Sequence, residues 1–322
     1  MTRKYIERKI EIAKTCRIAA RRYFFIFAQL IILSLFSCRK TSVSIDKSTY
    51  EPKIVIAGLL YPEQPVDNIR ISRNFPVGED VELQRIILSM ALVMITDLYS
   101  GKKYYLQYNI TRAVYEYPYD DLKILYGNSY KLEVNAEFDG YQLYASAVTT
   151  VPEKGLQILA DSSIYGRMYY REKDEKGRLI TPTITYNKSR GAAFYLASII
   201  AAYAGVDNFI YENPPGLDIK KALGKGAQMQ DFQFTSAWDK RYDNGGKLAK
   251  MEIDWFNFWF YSPYRIILYA ADKNYYHFFL THKFVQEIDG NLHEPLFDIE
   301  GDGIGYFGSA VTDTIYMEVV KK

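Results

Sequence analysis

The segment 130–149 limits the fold more than any other stretch. Tyr130, Leu132, Val134 and Ala136 alternate with polar residues, Asp139-Gly140 follows, and Tyr141, Leu143, Ala145 and Ala147 resume the alternation. A period of two sets one face of a strand against a core. Asp-Gly between two such runs supplies the positive φ that a two-residue turn requires at both central positions, so a β-hairpin is expected.

The same pattern recurs in shorter runs at 53–60, 68–73, 91–97 and 102–110. Short strands at this spacing, without long helical patterns between them, indicate an antiparallel β-sandwich over residues 53–152. The run TTVPEKG, 149–155, marks a boundary, and a second β-rich domain is expected over 153–322. Two domains also suit 322 residues. In the second half, 169–186 reads as a hairpin with its tip at Glu175-Lys176-Gly177, and 250–263 and 264–270 read as strands. Residues 192–204 are apolar or small throughout, and periodicity leaves strand and helix both open. Asp272 as N-cap, with Tyr275, Tyr276, Phe279, Leu280 and Phe284 at helical spacing, predicts one short helix over 272–288. The expected class is therefore mainly β, a sandwich followed by a β-rich domain with a short C-terminal helix.

The N-terminus carries a different message. Residues 1–37 hold eight Lys and Arg against Glu7 and Glu11, a local charge of +6; the remaining 32 basic and 36 acidic residues give −4 for 38–322. A mildly acidic body lacks the basic face that nucleic acid requires. Residues 23–37, YFFIFAQLIILSLFS, follow the basic stretch. As a helix they span ~22 Å, short of the ~30 Å of a bilayer core. A positive region, a short apolar region and a small residue at Ser37 read as a secretory signal. Leu35-Phe36-Ser37-Cys38 resembles the lipobox of bacterial lipoproteins, which implies acylation of Cys38 and a membrane anchor, with 38–52 as a polar tether. Cys16 is the only other cysteine, so cleavage before Cys38 leaves no disulfide.

Four clusters invite a chemical reading. Gly303, Gly305 and Gly308 spell G-x-G-x-x-G, yet the fourteen residues that follow alternate as a strand and leave no room for a helix or a ribose-binding acid. No cofactor is assigned, and the glycines are read as a bulge or tight turn before the last strand. Asp298, Glu300 and Asp302 begin like a calcium loop, but the twelfth position is Ser309, not Glu. His277, His282 and His293 fall within seventeen residues. A helical spacing of five turns the first two about 140° apart, so no metal is assigned. No G-x-S-x-G motif is present, and no catalytic residues are assigned. The run 255–261 remains. As a strand it would put Trp255, Trp259 and Tyr261 on one face and Phe256, Phe258 and Phe260 on the other. The first three are the candidate ligand-binding residues, against the alternative of a central strand buried on both sides.

The segment NYYHFFLTHKFVQEIDGN, and then Glu294-Pro295, Asp298-Ile299, Gly303-Ile304-Gly305 and Phe307-Gly308, resemble the close of the domain-of-unknown-function 4249 family of bacterial lipoproteins. Asp298 stands where Asn is common, and Tyr306 is an extra residue before Phe307. Cys38, the run IVIAGLL and the TTVP boundary fit the same pattern. The resemblance implies an Ig-like or carboxypeptidase-regulatory-like first domain, an outer-membrane location and a TonB-dependent receptor as partner. It brings no catalytic residues. The expected function is a non-enzymatic binding or accessory module of the cell envelope. A surface adhesin or glycan-binding protein, and a hydrolase with an unsigned active site, are the rival expectations.

Overall fold

The computed structural model describes residues 50–76, 79, 81–82, 85–213, 228–238, 246–282 and 295–322. The signal, Cys38, most of the tether, His293 and the second half of the expected helix lie outside them. In chain order the described strands are β1 (Ile54–Leu60), β2 (Arg70–Arg73), β3 (Leu92–Asp97), β4 (Lys103–Tyr105), β5 (Gln107–Asn109), β6 (Val114–Glu116), β7 (Ser129–Phe138) and β8 (Tyr141–Thr150). Then come β9 (Gln157–Ile158), β10 (Arg167–Tyr169), β11 (Thr183–Asn187), β12 (Phe194–Ala201), β13 (Phe234–Trp238), β14 (Leu248–Glu252) and β15 (Pro263–Ala271). Helix α1 (Lys273–His282), β16 (Glu300–Gly301) and β17 (Gly303–Val320) follow. The described residues are mainly β, with one short α-helix near the C-terminus.

The hairpin forms where the alternation places it. Phe138 pairs with Tyr141 across a two-residue turn, with φ of 53° at Asp139 and 80° at Gly140. Asp139 also pairs with Arg73 at the end of β2, which holds its carboxyl below the usual range. The Arg73 guanidinium lies 4.8 Å from the ring of Phe75 and 4.5 Å from that of Phe138. The turn is thereby fastened to the opposite sheet.

Two layers enclose the first core. One is the sheet β16-β8-β7-β3-β4; the other is β2-β1 with the start of β17. Ile54, Ile56, Ile69 and Ile71 meet Val93, Ile95, Leu132 and Val134 between them. This is the expected sandwich. The second core lies between β13-β12-β15-β17, with β10 beside β17, and the sheet β14-β11-β9. Residues 192–204 thus contain a strand, β12, seated between β13 and β15.

Strand β17 serves both cores. Its first seven residues pair parallel with β1, and Ala310 to Glu318 pair antiparallel with β15. Eighteen residues at ~3.3 Å each span roughly 60 Å. Phe307 enters the first core, while Val311, Ile315, Met317 and Val319 enter the second. Alternation along one strand therefore delivers one face to two cores.

Three expectations change. The arms of the 169–186 hairpin do not pair with each other beyond the tip, where Lys173 bridges Leu179. Instead β10 joins β17 and β11 joins β14 and β9. The run 102–110 splits at buried Leu106, with β4 in the five-stranded sheet and β5 paired with β6. The run 250–263 is not one strand, because β14 stops at Glu252 and residues 255–257 form a 3-10 turn.

The closing glycines lie inside β17, not in a turn before it. Gly305 has φ of 103°, and a Cβ there would sit 2.1 Å from the carbonyl oxygen of Ile56. A side chain would need both a left-handed backbone and a displaced β1. Gly305→Ala is expected to cost at least about 3 kcal/mol, from strain plus the lost close approach. Gly140→Ala, at φ of 80° with nothing within 4 Å, is expected to cost about 1 kcal/mol. Thermal melts of the two variants check this; an equal cost at both glycines would refute the close-approach account.

Candidate functional site

The expected aromatic face is dispersed by the 3-10 turn at 255–257. One extra helical step shifts the alternation, so Trp255, Phe258 and Phe260 turn inward and Phe256, Trp259 and Tyr261 turn away. Trp255 is 5% exposed and its indole Nε1 donates to the carbonyl of Ile180 at 3.0 Å. It is a core residue, which corrects its assignment to a ligand face. Trp259 packs on Phe232 and stacks on Phe209, with centroids 4.7 and 5.9 Å away. Tyr261 meets Trp255 only through Tyr170, whose ring is 5.5 Å from Trp255 and 6.3 Å from Tyr261. The Tyr170 hydroxyl is enclosed without a hydrogen-bond partner.

Among the described residues the acids and histidines form no group that could hold a metal ion. Asp298 Oδ2 lies 2.7 Å from His277 Nδ1, Asp302 Oδ2 accepts from the amide of Tyr144 at 3.2 Å, and Glu300 is exposed. His282 stacks on Phe278, 4.5 Å between centroids. Ser309, the twelfth position of the calcium pattern, is buried beside Thr149.

A polar cluster ties β8, β17 and the start of α1 together. Thr149 Oγ1 donates to Asp272 Oδ2 at 2.7 Å and lies 2.8 Å from Ser309 Oγ. Asp272 Oδ1 accepts from the amide of Tyr275 at 3.1 Å, the N-cap bond the sequence predicts. Asn274 Nδ2 donates to the carbonyls of Val148 at 2.7 Å and Phe307 at 3.0 Å. All four side chains are at most 5% exposed. Burial raises the pKa of Asp272, and its hydrogen bonds offset that only in part.

Beside this cluster, aromatic rings of α1 and its neighbours pack over buried Phe194, Leu196, Ala271 and Ala310 on the outer face of the sheet, an arrangement the sequence did not point to. Gly308 leaves no side chain on the outer face of β17; a Cβ would meet Asp272 Oδ1 at 2.7 Å and Tyr275 Cβ at 3.1 Å. Tyr275 therefore lies directly on the strand. Tyr306, two residues earlier on the same face, packs 5.1 Å from it. Tyr61, just past β1, and Tyr269, on β15, face each other at 6.5 Å. All four rings are half-buried. The Tyr61 phenol is pushed up, first by burial and then by Tyr269, Tyr275 and Tyr306, so the four share one environment. Tyr275 is pushed up to about 12, mainly by burial. None of the four hydroxyls has a hydrogen-bond partner among the described residues, and none is sealed from solvent. Tyr61 and Tyr306 lie far in sequence from Tyr269 and Tyr275, which are six residues apart, and only the 30 tyrosines of the chain hinted at such a cluster.

The arrangement offers neutral donors and acceptors beside aromatic faces, which is the equipment of a binding site. A mainly-β protein with two sandwich cores and an aromatic cluster under a short helix is the class these features define. The chain belongs to the family Domain of unknown function (DUF4249), which matches residues 40–315. No curated protein matches it. Among solved structures, the FN1-FN3 domains of chicken CNTN1 align with a TM-score of 0.20 and 10% identity, over 68% of this chain and 60% of that one. A superposition that loose bears no argument.

The raised pKa of Asp272 has a signed consequence. The folded state holds this proton more tightly than the unfolded state, where the carboxyl titrates near ~3.9. Its stabilising contribution is full below that value and is lost as pH rises through the raised folded pKa. Asp272→Asn should therefore gain stability relative to the wild type as pH climbs from about 4 toward neutrality. Melting temperatures of both proteins across that range test it; a gap that stays constant with pH would rule out the assignment.

Proposed function

We propose that this chain is a lipid-anchored, non-enzymatic binding module of the outer membrane. The observation that carries the reading is the sequence Leu35-Phe36-Ser37-Cys38 behind a basic and then apolar segment. Acyl chains on one cysteine supply more than the single chain that binds a membrane only marginally. Membership of the family supports it, because the close of the chain carries that family's pattern. The described residues contain no helix long and apolar enough to cross a membrane, so the anchor in this reading is the lipid. The binding role is supported by the phenols of Tyr61, Tyr269, Tyr275 and Tyr306, which have no hydrogen-bond partner among the described residues and are not sealed from solvent. The partner that the family resemblance implies is a TonB-dependent outer-membrane receptor.

Cys38→Ala is expected to move the protein from the membrane to the soluble fraction, and mass analysis of the wild type should find an acylated cysteine at the mature N-terminus. Unchanged fractionation of the variant would overturn the anchor. Co-purification of the detergent-solubilised wild type should bring down a TonB-dependent receptor; recovery of the protein alone would overturn that partner.

A further inference from the structure

The chain is fastened firmly where the described residues begin. The hydroxyl of Tyr50 accepts from Arg73 Nη2 and donates to the carbonyl of Asn74, both at 3.2 Å. Asn74 holds the residues that follow, its Oδ1 accepting from Lys53 N at 2.7 Å and its Nδ2 donating to Glu51 O at 2.8 Å. Arg73 in turn pairs with Asp139, and Arg85 Nη2 lies 3.9 Å from the same carboxylate. Tyr50 is thereby locked beside the tip of the β7–β8 hairpin, at one end of the first sandwich. That end exposes large apolar side chains. Met90 is 95% exposed, Leu92 55% and Tyr141 54%. Tyr141 starts β8 directly after the hairpin turn, paired with Phe138. Leu92 opens β3 opposite Asn135, and Met90 precedes it in a turn closed by Ala91 N on the carbonyl of Leu88 at 3.3 Å.

The far end of the same sandwich also exposes apolar residues, Leu98 and Tyr99, in the turn after β3. Leu98 N donates to the carbonyl of Ser129 at the start of β7, and β7 has ten residues. The two ends are therefore about 33 Å apart. The length of chain outside the described residues decides between them. Twelve residues lead from Cys38 to Tyr50, and a chain of that length spans at most roughly 43 Å. A membrane met through the far end would need about three-quarters of that span laid nearly straight along the side of the sandwich. Straightening a chain costs conformational entropy at every residue. A membrane met through the near end needs none of it.

We infer that the end of the first sandwich carrying Met90, Leu92 and Tyr141 rests on the bilayer that holds the acylated Cys38. The inference rests on the lipid-anchor reading and adds the face that the protein turns to the membrane. Met90 and Leu92 enter the headgroup boundary, and Tyr141 suits the same depth because its ring is apolar and its tip polar. Three side chains alone hold a membrane weakly. The anchor makes their contact intramolecular, at an effective concentration in the millimolar range, so a weak contact is enough to set the orientation. The neighbouring charges lean acidic, with Glu51, Glu79, Glu137 and Asp139 against Lys53, Arg73 and Arg85. The contact is therefore apolar and does not depend on anionic lipid. The far end, with Tyr99, is left pointing away from the membrane.

The test uses the acylated full chain in vesicles of phosphatidylcholine, and again with phosphatidylglycerol added. Signal cleavage and acylation of Cys38 leave no free thiol, so Met90→Cys, Tyr141→Cys and Tyr99→Cys each take one fluorophore. Brominated lipids are expected to quench the label at 90 and at 141 at least about threefold more than at 99, equally in both compositions. Met90→Glu with Leu92→Glu should bring quenching at 141 down to the level at 99; both side chains are exposed, and an unchanged melting temperature shows that the fold is kept. Quenching at 99 that equals that at 90, quenching that requires phosphatidylglycerol, or a double variant that leaves 141 quenched overturns the inference. So does concentration-dependent self-quenching at 90, which would put a second copy of the chain on this face instead. Mass analysis of the same samples separates the two readings. A chain with its acyl groups and no lipid quenching at 90 overturns the membrane face alone, whereas a chain without them overturns the lipid anchor and this inference with it.

Discussion

The close approach of Gly305 to the carbonyl of Ile56 governs the rest of the structure. A parallel pair needs its two backbones at full ladder contact, and here one of them is in a left-handed conformation at the point of contact. Only glycine meets both demands without strain. Because of that contact the last strand can begin beside β1 and end beside β15. Without it Phe307 leaves the first core, and the row Val311 to Val319 loses the anchorage that sets its register with the second. A slip of one residue would exchange the buried and outer faces along the whole strand.

The polar cluster at Asp272 works at the same junction by a different means. Apolar contacts tolerate sliding, whereas Thr149, Ser309, Asp272 and Asn274 are each bonded to a named atom on another element. Desolvation of the carboxyl opposes folding, and the hydrogen bonds return only part of it. A cluster of this kind adds little net stability, but its partners cost roughly 1–3 kcal/mol each if left unbonded. Its contribution is to reject alternative dockings of α1, a role for buried polar groups in some proteins.

Much of the first half was legible because the information is local. Asp139-Gly140 sits between runs whose alternation needs no knowledge of distant residues. Sequence alone had no access to the pairing of Ile54 with Gly303, since nothing nearby in the chain announces a partner some 250 residues on. The residues after the glycine pattern were read as a strand, and they form one, but the place of the glycines inside that strand depended on the distant partner. The faces assigned to 255–261 failed for a local reason. One 3-10 turn, held by the indole of Trp255 on Ile180 and the amide of Asn213 on Phe256 and Phe258, shifts the phase of everything after it. Periodicity presumes one regular element and gives no sign of an interruption by a side chain elsewhere.

The aromatic cluster under α1 was hidden for a related reason and is built by the same residues that dock the strand. Gly308 is missing a side chain where the outer face of β17 meets α1, so Tyr275 can rest on backbone rather than on another side chain. Tyr306 follows Gly305 and precedes Phe307. Its neighbours on either side are fixed: Gly305 lies against the backbone of Ile56 on β1, and Phe307 fills the first core. With both fixed, strand parity leaves Tyr306 nowhere to point but outward, onto Tyr275. The motif thus does two things with one alternation, closing the core on its inner face and setting a ring against Tyr275 and Phe278 of α1 on its outer face.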